Sequence, residues 1–137
     1  MTLSVPRQIA SVPLLRQLLD VVLRHRDVTA RCRAGLAVLI SEASANAVRH
    51  GHGDRPIEAS IDVDDEQCVI EIGNCNGHLD QSRLLAGMPT PDQESGRGLP
   101  LIGTLADAVH VLHPRPAWVV VRITKRLEHE PVEAGGR

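Results

Sequence analysis

Hydrophobic residues recur at helical spacing in the first part of the chain. After Ser11 and Pro13, the apolar positions are Leu14, Leu15, Leu18, Leu19, Val22 and Leu23. Separations of three, four and seven residues are typical of one face of an amphipathic helix. Serine followed by proline is a common helix start. We therefore predict a first helix with Ser11 as its N-cap, ending near residues 25–27.

The same spacing continues in a second stretch that ends at Gly51. Its apolar stripe consists of Leu36, Leu39, Ile40, Ala43 and Ala47. Either Asp27 or Thr29 can cap this second helix. We expect Gly51 to end it in the left-handed conformation, which glycine adopts readily.

Alternation of apolar and polar residues replaces the helical pattern after Gly51. Residues 57–63 alternate strictly and predict a half-buried strand, and residues 67–72 predict a second strand. The short connection between them makes the pair an antiparallel hairpin. The remaining predicted elements are an edge strand at 3–5, a helix at 99–106 and strands at 109–112 and 117–124.

This order of elements predicts an α+β fold. Helices would pack on one face of a mixed or antiparallel sheet, in a two-layer α/β sandwich. We place residues 1–124 in a single domain, which is long enough to bury a core. Residues 125–137 are polar and include Pro131 and a glycine pair, so we expect a disordered tail there.

A polar stripe lies on the second predicted helix, beside its apolar stripe. Glu42, Asn46 and His50 follow one another at intervals of four residues, and side chains at that interval lie on one helical face. The intervening residues are mostly small, so a ligand can approach the stripe closely. The alternative interpretation is a face that is only solvated.

Residues 73–98 lack periodicity and end in Gly96-Arg97-Gly98. A loop of over twenty residues in a small domain usually binds or covers a ligand. The helix that follows begins at this glycine-rich segment, and free amides at a helix start favour phosphate oxygens. The alternative is that Gly96 and Gly98 only turn the chain.

Composition narrows the classes of function. The 137 residues are 42% apolar and carry a formal net charge of -2, which argues against disorder and against polyanion binding. The chain has one Trp and no Tyr or Phe, so it lacks the aromatic platforms that bind single strands. We expect no direct contact with nucleic acid.

The sequence shows no sign of a signal peptide, a membrane-spanning helix or a set of paired cysteines. No segment resembles a signal peptide, and no apolar run approaches the ~18 residues of a spanning helix. The cysteines, Cys32, Cys68 and Cys75, are odd in number and lack metal-ligand spacing. We expect reduced thiols in a cytoplasmic protein that does not associate with membranes.

Two segments together resemble a known family. Residues 40–51 read ISEASANAVRHG and residues 94–109 read ESGRGLPLIGTLADAV. They resemble the N box, E-L-x-x-N-A-x-x-H-G, and the second glycine box of the GHKL ATPase superfamily, whose domain is the Bergerat ATP-binding fold. More narrowly, they resemble the anti-sigma-factor serine kinase branch. The resemblance covers residues 9–124 in matching order.

The resemblance implies ATP and Mg²⁺ as cofactors and assigns roles to single residues. Asn46 would bind the magnesium ion that bridges the nucleotide phosphates. Glu42 would orient or deprotonate the attacking group, as phosphoryl transfer requires. His50 would be structural, packing or hydrogen-bonding at the helix end. The residues that would cradle the phosphates are Gly96, Arg97, Gly98 and Leu99.

The first glycine box departs from the family pattern, D-x-G-x-G, whose Asp accepts a hydrogen bond from adenine. The chain reads Asn74-Cys75-Asn76-Gly77-His78 at this place. Asn74 would keep an acceptor oxygen without the charge, and Gly77 stands one place out of step. The family's Gly-Thr pair before the last strand is also replaced, by Arg115-Pro116-Ala117.

The function implied is that of an anti-sigma-factor-like regulator. It would bind a sigma factor in one state and phosphorylate a serine or threonine on an anti-sigma antagonist protein, and such proteins often form homodimers. The altered glycine box favours an alternative, a degenerate Bergerat domain that binds proteins without kinase activity. The least favoured hypothesis is the sensor kinase core of a two-component system, because we see no phosphoacceptor helix pair before the domain.

Overall fold

The computed structural model describes residues 1–75 and 98–131, with the backbone alone for residues 98–101. The described elements are β1 (Thr2–Val5), α1 (Ser11–Arg24), α2 (Ala30–His50), β2 (Ile57–Val63), β3 (Gln67–Cys75), α3 (Gly98–Leu105), β4 (Ala108–Arg115) and β5 (Trp118–Arg126). The predicted phosphate-binding residues Gly77, Gly96 and Arg97 lie outside this part of the chain.

The strands form a five-stranded sheet in the order β1-β2-β3-β5-β4. Each neighbouring pair is antiparallel, and Ile70 in the centre pairs with Ile61 on one side and Ile123 on the other. The predicted hairpin of β2 and β3 is confirmed, and so is the α+β fold. Of the two sheet types that the sequence left open, the described strands form the antiparallel one.

The helices cover one face of this sheet. On α1 the fully buried side chains are Leu15, Leu19 and Leu23, and on α2 they are Leu36, Leu39 and Ile40. They meet the inward-facing residues of the strands, among them Ile57, Ile61, Ile70, Ile72 and Ile123. Fully burying one such side chain contributes about 1.5–3 kcal/mol, so this aliphatic layer holds the helices on the sheet.

The start of α1 differs from the prediction. Ala10 is the N-cap, in helical conformation, and Ser11 is already the first helical residue. In a turn that precedes the helix, the Ser11 amide donates to the Gln8 carbonyl at 3.0 Å. The buried Ser11 hydroxyl donates to the Pro6 carbonyl at 2.7 Å instead of capping the helix. The hydroxyl therefore anchors the chain between β1 and α1.

The start of α2 settles the choice between Asp27 and Thr29. The Thr29 hydroxyl accepts a hydrogen bond from the Cys32 amide at 3.1 Å, which is the geometry of a side-chain N-cap. Asp27 lies in the connection with a positive φ of 52°. The Thr29 alternative is confirmed.

The end of the chain is ordered further than predicted. β5 continues through Arg126, and Leu127 is buried with 6% exposure. The Glu128 carbonyl accepts from the Thr29 amide at 2.8 Å, and His129 bridges to Val28. The prediction of a disordered tail that starts at residue 125 is therefore wrong, because residues 128–130 form backbone hydrogen bonds with the α1–α2 connection. Residues 132–137 lie outside the described residues.

None of the helices described in residues 1–75 and 98–131 is long and apolar enough to cross a membrane.

Candidate functional site

The C-terminal half of α2 carries the two polar side chains singled out in the sequence. Glu42 and Asn46 are both half-buried on this helix, one turn apart. Among the described residues the Glu42 carboxylate has no hydrogen-bond or ion-pair partner, whereas the remaining α2 face packs into the core. An unpaired, half-buried carboxylate is available to accept a proton or to orient a ligand.

The Asn46 amide is held in one orientation by Arg49. The Asn46 Oδ1 atom accepts a hydrogen bond from the Arg49 guanidinium, one turn later on α2. The Asn46 Nδ2 atom is buried without a hydrogen-bond partner among the described residues. Turning the amide over would place its NH₂ group against a guanidinium that has only donors, so the oxygen must face Arg49.

This orientation fits a magnesium ligand. Mg²⁺ takes oxygen ligands, and the Asn46 Oδ1 atom is such an oxygen on the exposed side of the helix. The Arg49 guanidinium that bonds to it here would have to turn away for a cation to bind, since two positive charges repel. The orphaned Nδ2 atom costs stability, as a buried donor without a partner does. Among the described residues, the fold therefore gives no partner to this amide nitrogen, while the amide supplies one oxygen of the kind that the predicted cation binds.

Arg7 clamps the end of α2. Its guanidinium donates to the Val48 carbonyl at 2.8 Å and to the Gly53 carbonyl at 3.2 and 2.8 Å. These bonds satisfy a free carbonyl of the last helical turn and fix the turn that follows. Sequence reasoning missed Arg7, because nothing in the chain's periodicity links it to a helix end some forty residues later.

Gly51 ends α2 for a reason other than the predicted one. Its φ of -70° and ψ of 159° are extended, so the expected left-handed conformation is wrong. A Cβ atom here would lie 2.5 Å from the Arg7 Cδ and 2.7 Å from the Ala47 carbonyl oxygen. Glycine is required because other atoms occupy the space that a side chain needs.

Asn74 lies against this same helix end. It is 7% exposed and belongs to β3, which continues beyond the predicted end of the strand at residue 72. Its Nδ2 atom lies 3.2 Å from the position that a Gly51 Cβ would occupy. The His52 amide donates to the Cys75 carbonyl at 2.7 Å and ties the turn to the strand. The structure therefore brings Asn74 and the end of the N-box helix together.

The helix α3 packs against α2 and begins at Gly98, with Leu99 in its first turn. Near its C-terminal end, the Ala106 amide donates to the Ile102 carbonyl at 2.9 Å, and the Lys125 Nζ donates to the Leu105 carbonyl at 3.0 Å. Free amides at the other end of such a helix favour anions. The glycines that precede Gly98 in the predicted phosphate cradle lie outside the described residues.

Two further positions differ from their predicted roles or from the family pattern. His50 is exposed and has no hydrogen-bond partner among the described residues, so the packing role predicted for it is wrong. In the β4–β5 turn, Ala117 has a positive φ of 61°, a conformation that favours glycine. Ala117 is therefore a non-glycine residue in a conformation that costs L-residues energy.

Comparison with known proteins agrees with this geometry. A family model described as "Histidine kinase-like ATPase domain" matches residues 5–125. A search of curated proteins gave no match. Among solved structures, the RsbU and RsbW domains of Rv1364c from Mycobacterium tuberculosis align with a TM-score of 0.69 at 17% identity, over 96% of this chain and 34% of that one.

Two other solved structures share the fold across most of their own length. The SiaB–SiaC complex from Pseudomonas aeruginosa gives a TM-score of 0.62 at 14% identity, covering 92% of this chain and 89% of that one. The catalytic domain of the histidine kinase ThkA gives 0.58 at 12% identity, covering 90% and 95%. The chain spans only about a third, 34%, of the Rv1364c structure. The resemblance to GHKL ATPases is confirmed, and the chain belongs to the histidine kinase-like ATPase domain family.

Proposed function

We propose that the end of α2 binds Mg-ATP and that the protein is a protein kinase of a partner switch. The observation that carries this proposal is the position of Asn74 against the end of α2, where its Nδ2 atom lies 3.2 Å from the place that a Cβ of Gly51 would occupy. Asn46 lies five residues before Gly51, on α2. A side chain that could accept from a base, on β3, and an amide oxygen that could bind a metal, on α2, thus lie toward the same end of this helix.

Different groups of the protein would bind the adenine, the phosphates and the magnesium ion. The Asn74 amide oxygen would accept from the adenine amino group, and the first amides of α3, at Gly98 and Leu99, would donate to phosphate oxygens. The remaining cradle residues, Gly77, Gly96 and Arg97, stay predictions from the resemblance. Asn46 Oδ1 would bind Mg²⁺, which supplies positive charge to the phosphates when it is bound.

Glu42 would then be the catalytic residue. Its carboxylate accepts the hydroxyl proton of the partner's serine or threonine as that oxygen bonds to the terminal phosphorus of ATP. The bond from this phosphorus to the bridging oxygen breaks, and ADP leaves. A half-buried carboxylate without a competing partner supports this role, because general bases act through a positioned and unoccupied acceptor.

The partner would be an antagonist protein. The SiaB structure is a complex with SiaC, and the Mycobacterium tuberculosis structure contains RsbU and RsbW domains, which supports a protein partner. Control of transcription through a sigma factor, and a homodimer, follow only from the family resemblance.

A second candidate function is a binding module without kinase activity. The observation that favours it is Asn74, since an amide replaces the charged acceptor of the family and a neutral hydrogen bond is weaker by about 1 kcal/mol. Such a protein would keep the fold and the partner surface but would not turn over ATP.

Slow ADP formation with water as acceptor separates the two candidates without a known partner. Wild-type protein should release ADP from Mg-ATP, and Glu42→Gln should lower this rate by about 100-fold, the effect of losing a general base. Glu58→Gln is the matched control, because Glu58 is exposed on β2. Equal rates for wild type and Glu42→Gln would overturn the role of Glu42, and no ADP formation by wild type would favour the binding module.

A further inference from the structure

Lys125 is the sole lysine of the chain, and its side chain lies on the core side of the sheet. It pairs in register with the buried Cys68, so it points toward the helices rather than away from them. The residue is half-buried, and its ammonium group donates to the Leu105 carbonyl at 3.0 Å. Leu105 is the last residue of α3, and the free carbonyl groups at the C-terminus of a helix carry partial negative charge.

We propose that Lys125 is a positioning residue of the nucleotide site, which acts by fixing α3. This inference rests on the proposed function, because α3 begins at the predicted phosphate-binding glycines. A helix of eight residues is about 12 Å long and behaves as a rigid rod. Holding its C-terminal end therefore sets where its first amides, at Gly98 and Leu99, point.

The Lys125 side chain lies beside α2. At Gly35, an added Cβ would lie 3.5 Å from the Lys125 Cε, an ordinary van der Waals separation, so the lysine stem runs next to the N-terminal half of this helix. Lys125 therefore lies between α2, which carries Glu42 and Asn46 further along, and the end of α3, to which its ammonium group bonds.

The residues on either side of Lys125 in β5 bond to Asp107, just after the end of α3. The Thr124 carbonyl accepts from the Asp107 amide at 2.9 Å, and the Arg126 amide donates to the Asp107 carboxylate at 2.5 Å. These bonds fix the segment after α3, whereas Lys125 donates to the last residue of the helix itself. Loss of its ammonium group should loosen α3 while the β5 contacts keep the domain folded.

Equilibrium binding of Mg-ATP, together with amide hydrogen exchange over residues 98–106, tests this inference. Lys125→Met keeps the length of the stem and removes the charge, and Arg122→Met on the opposite face of β5 is the matched control. Arg122 pairs with Glu71 at 2.6 Å on the outer side of the sheet. Lys125→Met should raise the dissociation constant for Mg-ATP about tenfold, as expected for one lost charge-assisted hydrogen bond.

The other variants should separate positioning from stability. Exchange over residues 98–106 should become faster in Lys125→Met and stay unchanged in Arg122→Met, and Lys125→Arg should restore binding to within about threefold of wild type, since it keeps a donor. Wild-type affinity and exchange in Lys125→Met would overturn the inference while leaving the proposed function intact. If wild type itself does not bind Mg-ATP, both the proposed function and this inference are wrong.

Discussion

The Arg49 guanidinium donates to the Asn46 side-chain oxygen, and this contact leaves the Asn46 Nδ2 atom buried without a partner among the described residues. A buried donor without a partner costs about 1–3 kcal/mol, so we expect Asn46 to lower the stability of the fold. Polar residues kept at such a cost are typical of functional sites, where stability and activity oppose each other.

Replacing Asn46 should therefore stabilise the protein and abolish its function. Asn46→Leu keeps the branched shape of the side chain and has no buried donor, and we expect the free energy of unfolding in urea to rise by about 1 kcal/mol. Magnesium-dependent nucleotide binding should be lost in the same variant. Gln17→Leu, on an exposed position of α1, is the control and should change stability by less than about 0.5 kcal/mol. A destabilised Asn46→Leu would show that the amide serves folding.

Removing the clamp at the end of α2 should destabilise the domain. Arg7→Met deletes the hydrogen bonds to the Val48 and Gly53 carbonyls, and we expect a loss of about 2 kcal/mol in urea unfolding. Arg16→Met is the matched control, because Arg16 makes an exposed hydrogen bond of 3.4 Å to Ser41. Equal stability of the two variants would contradict a role for Arg7 at the helix end.

Gly51 and Gly103 should respond in opposite directions to alanine. A Cβ at Gly51 would lie 2.5 Å from Arg7 and 2.7 Å from a carbonyl oxygen, so Gly51→Ala should cost about 2 kcal/mol. Gly103 lies in α3 with nothing within 4 Å of such a Cβ, so Gly103→Ala should gain about 0.5–1 kcal/mol from helix propensity. Thermal unfolding monitored by circular dichroism measures both, and a stabilising Gly51→Ala would contradict the steric account.

Burial of Cys68 should make the protein less stable in alkali. Removal from water, and then the nearby Cys32 and Asp62, raise the pKa of the Cys68 thiol to about 12 from 9.0. Above pH 9 the unfolded chain loses this proton while the folded protein keeps it, so stability falls as pH rises, by up to about 1.4 kcal/mol per pH unit.

Urea unfolding at pH 9 and pH 11 measures this effect. Wild type should lose about 2 kcal/mol more than Cys68→Ala between these two values. The half-buried Cys75 should react with a maleimide at neutral pH, whereas the buried Cys32 and Cys68 should not. Identical pH dependence in both proteins would show that Cys68 is solvated in the folded state.

The sequence predicted the elements that repeat a pattern and missed those that depend on contacts between distant residues. The helical and alternating periods located α1, α2, β2 and β3, because burial of one face imposes those periods. The role of Gly51 depends on Arg7, which comes from the other end of the domain. The order of residues 125–131 likewise depends on backbone bonds to the α1–α2 connection, which no local pattern records.

In the candidate site, too, some residues could be predicted from a local pattern and others depend on contacts that the pattern does not show. Glu42 and Asn46 could be recognised because a four-residue interval on one helix fixes their relation, and the family motif contains both. The sequence predicts a loop at Asn74, because alternation is lost near it, whereas in the structure the strand continues to Cys75. Arg49 and Lys125 act on the site through single side-chain contacts, and their spacing gives no sign of this.

Isothermal titration calorimetry with Mg-ATP, and with Mg-GTP as the control, tests the central claim most directly. If Asn46 holds magnesium and Asn74 reads adenine, wild type should bind ATP with a dissociation constant below about 1 mM, bind GTP at least tenfold more weakly, and lose ATP binding when magnesium is chelated. Equal affinity for both nucleotides would contradict the role of Asn74. Absence of heat with either nucleotide would contradict the nucleotide site altogether.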